Sequence, residues 1–535
     1  MKKSNISIAT AIAAASFATC VLAHDKSVKE QLGEVKFDVS CSAPAKAKFQ
    51  RGMALFHSFD WRRGKTEFEE IAAVDPKCGM AYWGLAMVMA DNPFGWPVSM
   101  KVSEGAAAIA KAKEIGASTQ RERDYIDALV LLYKDAANTP HRVRALAYED
   151  AMEKVARSNP GDIEATILYA LSVSANHDLN DKTYARPLKA AGMLEPLFTS
   201  QPRHPGVAHY LIHSYDYPPI AEKGLAAAKR YAEVAADAAH AQHMPSHIFT
   251  RVGYWRESVA SNKASAATDV GVKQQTPHAW DYMVYAYLQL GDDAAAEAVW
   301  AEASAMKPAT HQVAFGEAFG LAAIPSRLAL ERGRWAEATK VGRHPAYSDA
   351  AWKNFPQAES LLFYARGLGF ARSGDAASAR KEVEGLRAIH ATLTERKLGY
   401  WAEQTEIQAS IVTAWALRAE GKNDEALAAM RTAADREDAS EKHVVVPGPM
   451  IPARELLADL LMDLGKPAEA LPQYEASIAK EPNRFRGLYG AALAAERSGD
   501  KARARTHYEK LASVTKGVQS TRPELARMRQ QIASN

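Results

Sequence analysis

The chain is short of cysteine, of net charge and of long apolar runs. It has three cysteines in 535 residues, and with Cys20 near the start only Cys41 and Cys78 remain for the rest. That count excludes both a disulfide-stapled scaffold and a four-cysteine zinc site. The formal net charge is +3, or +1 without Lys2 and Lys3, and no basic tract is interleaved with aromatics. The electrostatic case for nucleic acid or an anionic membrane as partner is therefore missing. Beyond Leu22 no segment approaches about 18 uninterrupted apolar residues, so no membrane span is expected. Glycine and proline are not enriched, and strand-like alternation is nearly absent. No HExxH, Gly-x-Ser-x-Gly or phosphate-binding loop occurs, which removes the familiar zinc-protease, serine-hydrolase and nucleotide signatures. Gly367-Leu368-Gly369 followed by Gly374 lies in a helical pattern with no strand before it and reads as structural.

What the chain does have is apolar material, 47% of it. That is too much for disorder and, at this length, too much for one compact core. The N-terminus reads as a secretory leader over residues 1–23: Met1-Lys2-Lys3, an apolar run from Ile6 to Leu22, and Val21-Leu22-Ala23 at the cleavage positions. Phe17-Ala18-Thr19 before Cys20 makes a poor lipoprotein signal. A periplasmic or secreted protein is expected, cut after Ala23. Cys41 and Cys78 each directly precede a helix start, and an oxidising compartment would let them bridge; two buried free thiols are the alternative.

Residues 24–42 are polar, show no sustained period and read as a lead-in. From Ala43 apolar residues recur at i, i+3, i+4 and i+7, in runs of roughly 12 to 15 residues broken by Gly-Asp, Asp-Pro or Asn-Pro. These are helical hairpins, and they repeat. Phe68 and Pro76 in the first unit, which also holds Gly52, correspond to Trp300 and Pro308 and again to Tyr474 and Pro482, and Gly291 and Ala296 correspond to Gly465 and Ala470. The same frame fits Gly367/Gly374/Ala379, Gly421/Ala426 and Gly490/Ala504/Tyr508. The pattern resembles the tetratricopeptide repeat, a helix-turn-helix unit of about 34 residues. Cys41, the run Met80–Met87 and His243–Phe249 together look like an exported bacterial subfamily of these proteins.

The resemblance implies an all-α fold, an αα-hairpin solenoid wound as a right-handed superhelix with a concave face. It spans roughly Ala43 to Thr515. Residues 43–202 hold looser repeats with long loops, 203–310 the histidine-rich repeats and 311–515 regular repeats, with 516–535 as a tail. His443–Pro452 reads as a non-helical insert crossing the surface. Trp83, Trp280 and Trp300 fall at core positions, and Trp96, in a long loop, is expected nearer the groove mouth.

The chemistry gathers between His204 and Asp281. His209/His213 and His243/His247 are both spaced i, i+4, one helical turn apart on one face. The two pairs are offset by 34 residues, which is the repeat length. In the repeat frame His240, His243 and His247 take groove positions 2, 5 and 9 of one unit. After a four-residue insertion, His278, Asp281 and Tyr285 take the same positions of the next. His209, His213 and Asp216 belong to the preceding unit, and His57 to the first. We expect His209, His213, His243 and His247 to be metal ligands. His57, His177, Asp216, His240, His278, Asp281 and Tyr285 are expected to touch a ligand or brace the ligating rings. Neutral imidazole suits zinc, copper or iron. Pro245, between His243 and His247, interrupts a simple helix and leaves the facing of that pair open.

Three readings follow. The groove holds a transition metal or a small polar ligand; the same site works as a metal-dependent hydrolase or oxidase; or the solenoid is a protein-binding scaffold without metal, with a peptide or protein in its groove. Repeat families that clamp acidic C-terminal peptides use Lys, Arg and Asn where this chain has His and Asp, which points to a different ligand.

Overall fold

A computed structural model describes residues 30–271 and 273–533, and the expected leader lies outside them. Among the described residues every regular element is helical. The breaks between helices follow from local chemistry. Gly291, Gly374 and Gly499 end helices in the left-handed region, at φ 76°, 88° and 85°. Each is followed by an aspartate, and Asp292, Asp375 and Asp500 accept from the backbone N–H of Ala295, Ser378 and Arg503 to cap the next helix. Glycine tolerates the turn and aspartate satisfies an orphan donor.

Successive helices pack as neighbours along the chain, and aromatic rings fill the gaps between hairpins. Phe68 lies against both Gly52 and Gly84, where a Cβ would sit 3.0 Å and 2.2 Å from its ring. Tyr474 lies likewise against Gly490, at 2.4 Å. The small residue and the aromatic are thus two halves of one packing contact. Trp83 and Trp280 are buried as expected, and Trp300 is partly buried. Trp96 donates to the Ala90 carbonyl and packs edge-on to His141, so it belongs to the loop's own packing rather than to the groove mouth.

Two stretches differ from their reading in sequence. The lead-in is not a featureless linker: Leu32, Val35, Phe37 and Val39 are all buried. Phe37 packs on Phe49, Trp83 and Tyr125, with its N–H and carbonyl bound by the Gln50 amide. Three alternating apolar residues are too short a run to register as a period. In the C-terminal segment, Pro523–Ala533 forms a further helix that buries Leu525 and Met528. Cys41 and Cys78 are disulfide-bonded, with their Cα atoms 5.1 Å apart.

The core comes in two bodies, one from Leu32 to Phe249 and one from Trp255 to Met528. Segments distant in sequence also meet. Trp255 donates to the Asn483 carbonyl at 2.8 Å, and Phe485 N–H to Gln289 at 3.0 Å. The non-helical insert threads inward rather than over the outer surface. Glu441 N–H reaches the Leu179 carbonyl, Tyr282 donates to the Val444 carbonyl, and Arg327 binds the carbonyls of Gly448 and Pro449.

Truncating a fully buried phenylalanine costs about 3–5 kcal/mol. Phe37→Ala should destabilise the N-terminal core by that amount in urea unfolding followed by far-UV circular dichroism. Lys36→Ala, at an exposed neighbour, should leave the midpoint unchanged.

Candidate metal centre

Helical segments from three successive repeats present the histidines. Pro205–Tyr215 carries His209 and His213; Ala239–His243 followed by Pro245–Arg251 carries His240, His243 and His247; Thr276–Leu290 carries His278 in its first turn. Pro245 does not break the alignment. Met244 before it stays helical at φ −55° and ψ −35°, and proline sits in the first turn of the next segment, where its missing N–H costs nothing. His243 Nε2 and His247 Nε2 therefore face each other at 3.0 Å. His209 Nε2 and His213 Nε2 do the same at 3.1 Å.

The remaining two rings complete two groups of three. One nitrogen each from His209, His213 and His240 lie within 4.8 Å of one another, and so do those of His243, His247 and His278. In each group, two histidines come from one repeat and the third from the start of the next.

The outward nitrogens are braced. His209 Nδ1 donates to the His57 carbonyl at 2.7 Å, His243 Nδ1 to Asn262 Oδ1 at 2.6 Å, and His247 Nδ1 to Asp216 Oδ2 at 2.9 Å. Asn262 is oriented by its own amide, which donates to the Ser258 carbonyl. With a proton on each Nδ1, the Nε2 atoms of His209, His243 and His247 carry lone pairs. Burial pushes His209, His213, His240, His243 and His278 well below the ordinary histidine range, and neighbouring histidines add to the effect. His247 is lowered too, by burial that its bond to Asp216 only partly offsets. Burial alone would raise the Asp216 carboxyl, but Lys442 and Arg251 hold it well below its usual value. Arg251 Nε lies 2.8 Å and Lys442 Nζ 3.5 Å from it.

Both groups open onto one cavity of about 1850 Å³, lined in part by His213, His240, His247 and His278. Phe59, at φ 51°, turns its ring onto His209 and His240, and Phe94 stacks on His213 with centroids 3.8 Å apart. The insert supplies the far wall with His443, Val444 and Val445. His443 rests on Trp401, and burial with nearby Lys442 pushes it down to about 3.

Residues 456–516 match the tetratricopeptide repeat family model. Over that stretch the chain carries tetratricopeptide repeats. Among solved structures it is similar to the APC/C hetero-tetramer Cut9-Hcn1, at 12% identity over 92% of this chain and 77% of that one, with a TM-score of 0.38. It is similar also to yeast Tom70, at 10% identity over 92% and 94%, with a TM-score of 0.35. A tetratricopeptide repeat protein from Parabacteroides merdae gives 13% identity over 55% and 97%, with a TM-score of 0.27. No curated protein matches the chain. Tetratricopeptide arrays present a concave surface to protein partners or peptides.

The repeat frame brings some of the sequence-selected residues together and not others. His209, His213, His240, His243, His247 and His278 form the two groups, and Asp216 braces one of them. His57 contributes through its backbone carbonyl. Its ring is held instead by Glu164, which sits below its usual range between His204 and His57 despite burial, and by the Tyr210 hydroxyl. Asp281 is not at the groove: it lies in a buried pair with Arg327 at 2.6 Å, which in turn grips the insert. Tyr285 accepts from Arg484 at 2.8 Å and packs on Trp255. Their helix turns His278 in its first turn to the cavity and these later ones into the core. His177 stands apart between Tyr184 and Tyr217. Asn262, Glu164, Lys442 and His443 escaped the sequence reading because they come from second helices, a distant unit and the insert, where groove spacing gives no signal.

Histidines that are neutral when buried but titrate near 6.5 when unfolded take up protons preferentially in the unfolded chain below that pH. Their contribution is intact above about 6.5 and lost as pH falls. The metal-free protein should show a melting temperature that drops steadily from pH 7 to pH 5 in differential scanning calorimetry. A flat profile over that window would contradict buried neutral rings.

Proposed function

We propose that this protein binds transition-metal ions through the two three-histidine groups, within an exported repeat solenoid. The carrying observation is the pairing of His243 and His247. Both use Nδ1–H to reach an acceptor, Asn262 Oδ1 and Asp216 Oδ2, so two lone pairs confront each other across 3.0 Å. A cation resolves that confrontation. At the usual metal–imidazole distance of about 2.0–2.1 Å, nitrogens this far apart subtend roughly 90–100° at a shared ion, as adjacent ligands do. Braced Nδ1 atoms are what metal-bound histidines require, because they fix ring orientation and raise the basicity of the other nitrogen. Three protein ligands leave a coordination position for water or a substrate.

The donor set favours zinc, copper or iron over magnesium or calcium, which take oxygen ligands. Export is supported by the leader-like N-terminus and by the Cys41–Cys78 bridge, since such bonds persist in oxidising compartments. The cavity exceeds the roughly 300–1,000 Å³ of ordinary small-molecule sites. It has room for a peptide segment beside the metal, which agrees with the ligands that tetratricopeptide arrays take.

Elemental analysis of protein purified without a metal column should find about two ions per chain. A His209/His213/His243/His247 to alanine variant with unchanged circular dichroism should retain almost none. Asn262→Ala, which removes one brace, should weaken affinity by about 10- to 100-fold. Equal metal content in the wild type and the quadruple variant would refute the proposal.

A further inference from the structure

The two groups are not independent sites on a surface; they abut. The His213 ring lies 5.9 Å from that of His247, and the His240 ring 5.9 Å from that of His243. We propose that they hold a coupled pair of copper ions that takes up dioxygen between them. This rests on the metal-binding reading above and adds to it the metal, the pairing and the ligand.

Charge selects the metal. All six donors are neutral imidazoles, and neither group includes a carboxylate. The nearest carboxylate, Asp216, is already matched by Arg251 and Lys442. Two divalent ions would place four positive charges on six neutral donors with no carboxylate among them, an expensive arrangement. Two cuprous ions bring half that charge, and copper(I) is satisfied by three nitrogen donors.

Charge also selects the ligand. When dioxygen enters between two cuprous ions, each copper gives up one electron and becomes copper(II). Dioxygen accepts both, its double bond becomes a single bond, and the resulting dianion bridges the two ions. No proton is required. The ions and their ligand carry a net charge of +2 before the step and +2 after it. A donor set with no charge of its own is thus suited to a reaction that makes no change in charge.

Shape supports the same ligand. His213, His240, His247 and His278 face the cavity, so a small molecule has a path to both groups. Phe59 and Phe94 lie against the rings of His209 and His213 and give the pocket an apolar shoulder. Phe59 holds its place at φ 51°, a conformation that costs a non-glycine residue on the order of 1–2 kcal/mol.

The test is anaerobic loading of the purified protein with copper(I), followed by admission of oxygen. The expected result is two copper ions per chain and one dioxygen consumed per pair. The oxidised product should be silent in electron paramagnetic resonance, with the full copper(II) signal appearing only after acid denaturation. Two bound ions with full signal before denaturation, or no oxygen uptake, would overturn the pairing and leave metal binding standing. Failure to hold any metal would remove both. His240→Ala and His278→Ala each take one ligand from one group, and each should abolish uptake and leave silent copper(I); the same variants loaded with copper(II) instead should show an uncoupled mononuclear signal. His311→Ala, a cavity histidine outside the groups, should behave as wild type. The measurement on the unaltered protein decides the matter even where a variant misfolds.

Discussion

One buried carboxylate joins the parts of this molecule that matter to its cavity. Asp216 closes the helix that carries His209 and His213. It accepts from His247 in the next unit, pairs with Arg251 a turn further on, and meets Lys442 of the insert. Such a group is tolerated in the interior only when its partners are all in place. The spacing of two repeats and the path of a segment more than 200 residues away are thereby fixed to the same atom pair. A carboxylate with this many partners serves less as a source of net stability than as a device that admits one arrangement.

That arrangement places the histidines and the insert on one cavity. The two hydrophobic cores meet near residue 250, and the histidines occupy the seam between them. Arg327 and Tyr282 hold the insert by its backbone carbonyls, which lets the insert pass inward without leaving buried acceptors unsatisfied. The inner face is polar because it is fastened by side chain to backbone contacts, whereas the outer hairpins are fastened by glycine and aromatic rings.

The solenoid was legible because several units repeat the same small-residue, alanine and aromatic positions, and a pattern seen several times is robust to local noise. The six histidines were legible for the same reason: their register is the repeat register. What escaped notice shares the opposite property. Phe37 lies in an extended run too short to show a period, and Asn262 brings its amide to His243 from the second helix of a hairpin. Lys442 arrives from a segment with no repeat position at all. Asp281 was misplaced since register predicts which way a helix position faces in an average unit, and here Arg327 draws it into the core.

The step that turns His209 and His213 into His243 and His247 is the step that turns one repeat into the next, and that step, lengthened by the four-residue insertion, carries His240 to His278. The two groups are therefore successive rungs of a ladder rather than halves related by a twofold axis. A third step meets Asp281 and Tyr285, and the ladder stops. Their surroundings differ accordingly: a peptide carbonyl steadies a ring in the first rung, a carboxylate and an amide steady two in the second. Two identical ions would therefore sit in inequivalent surroundings, one in each rung.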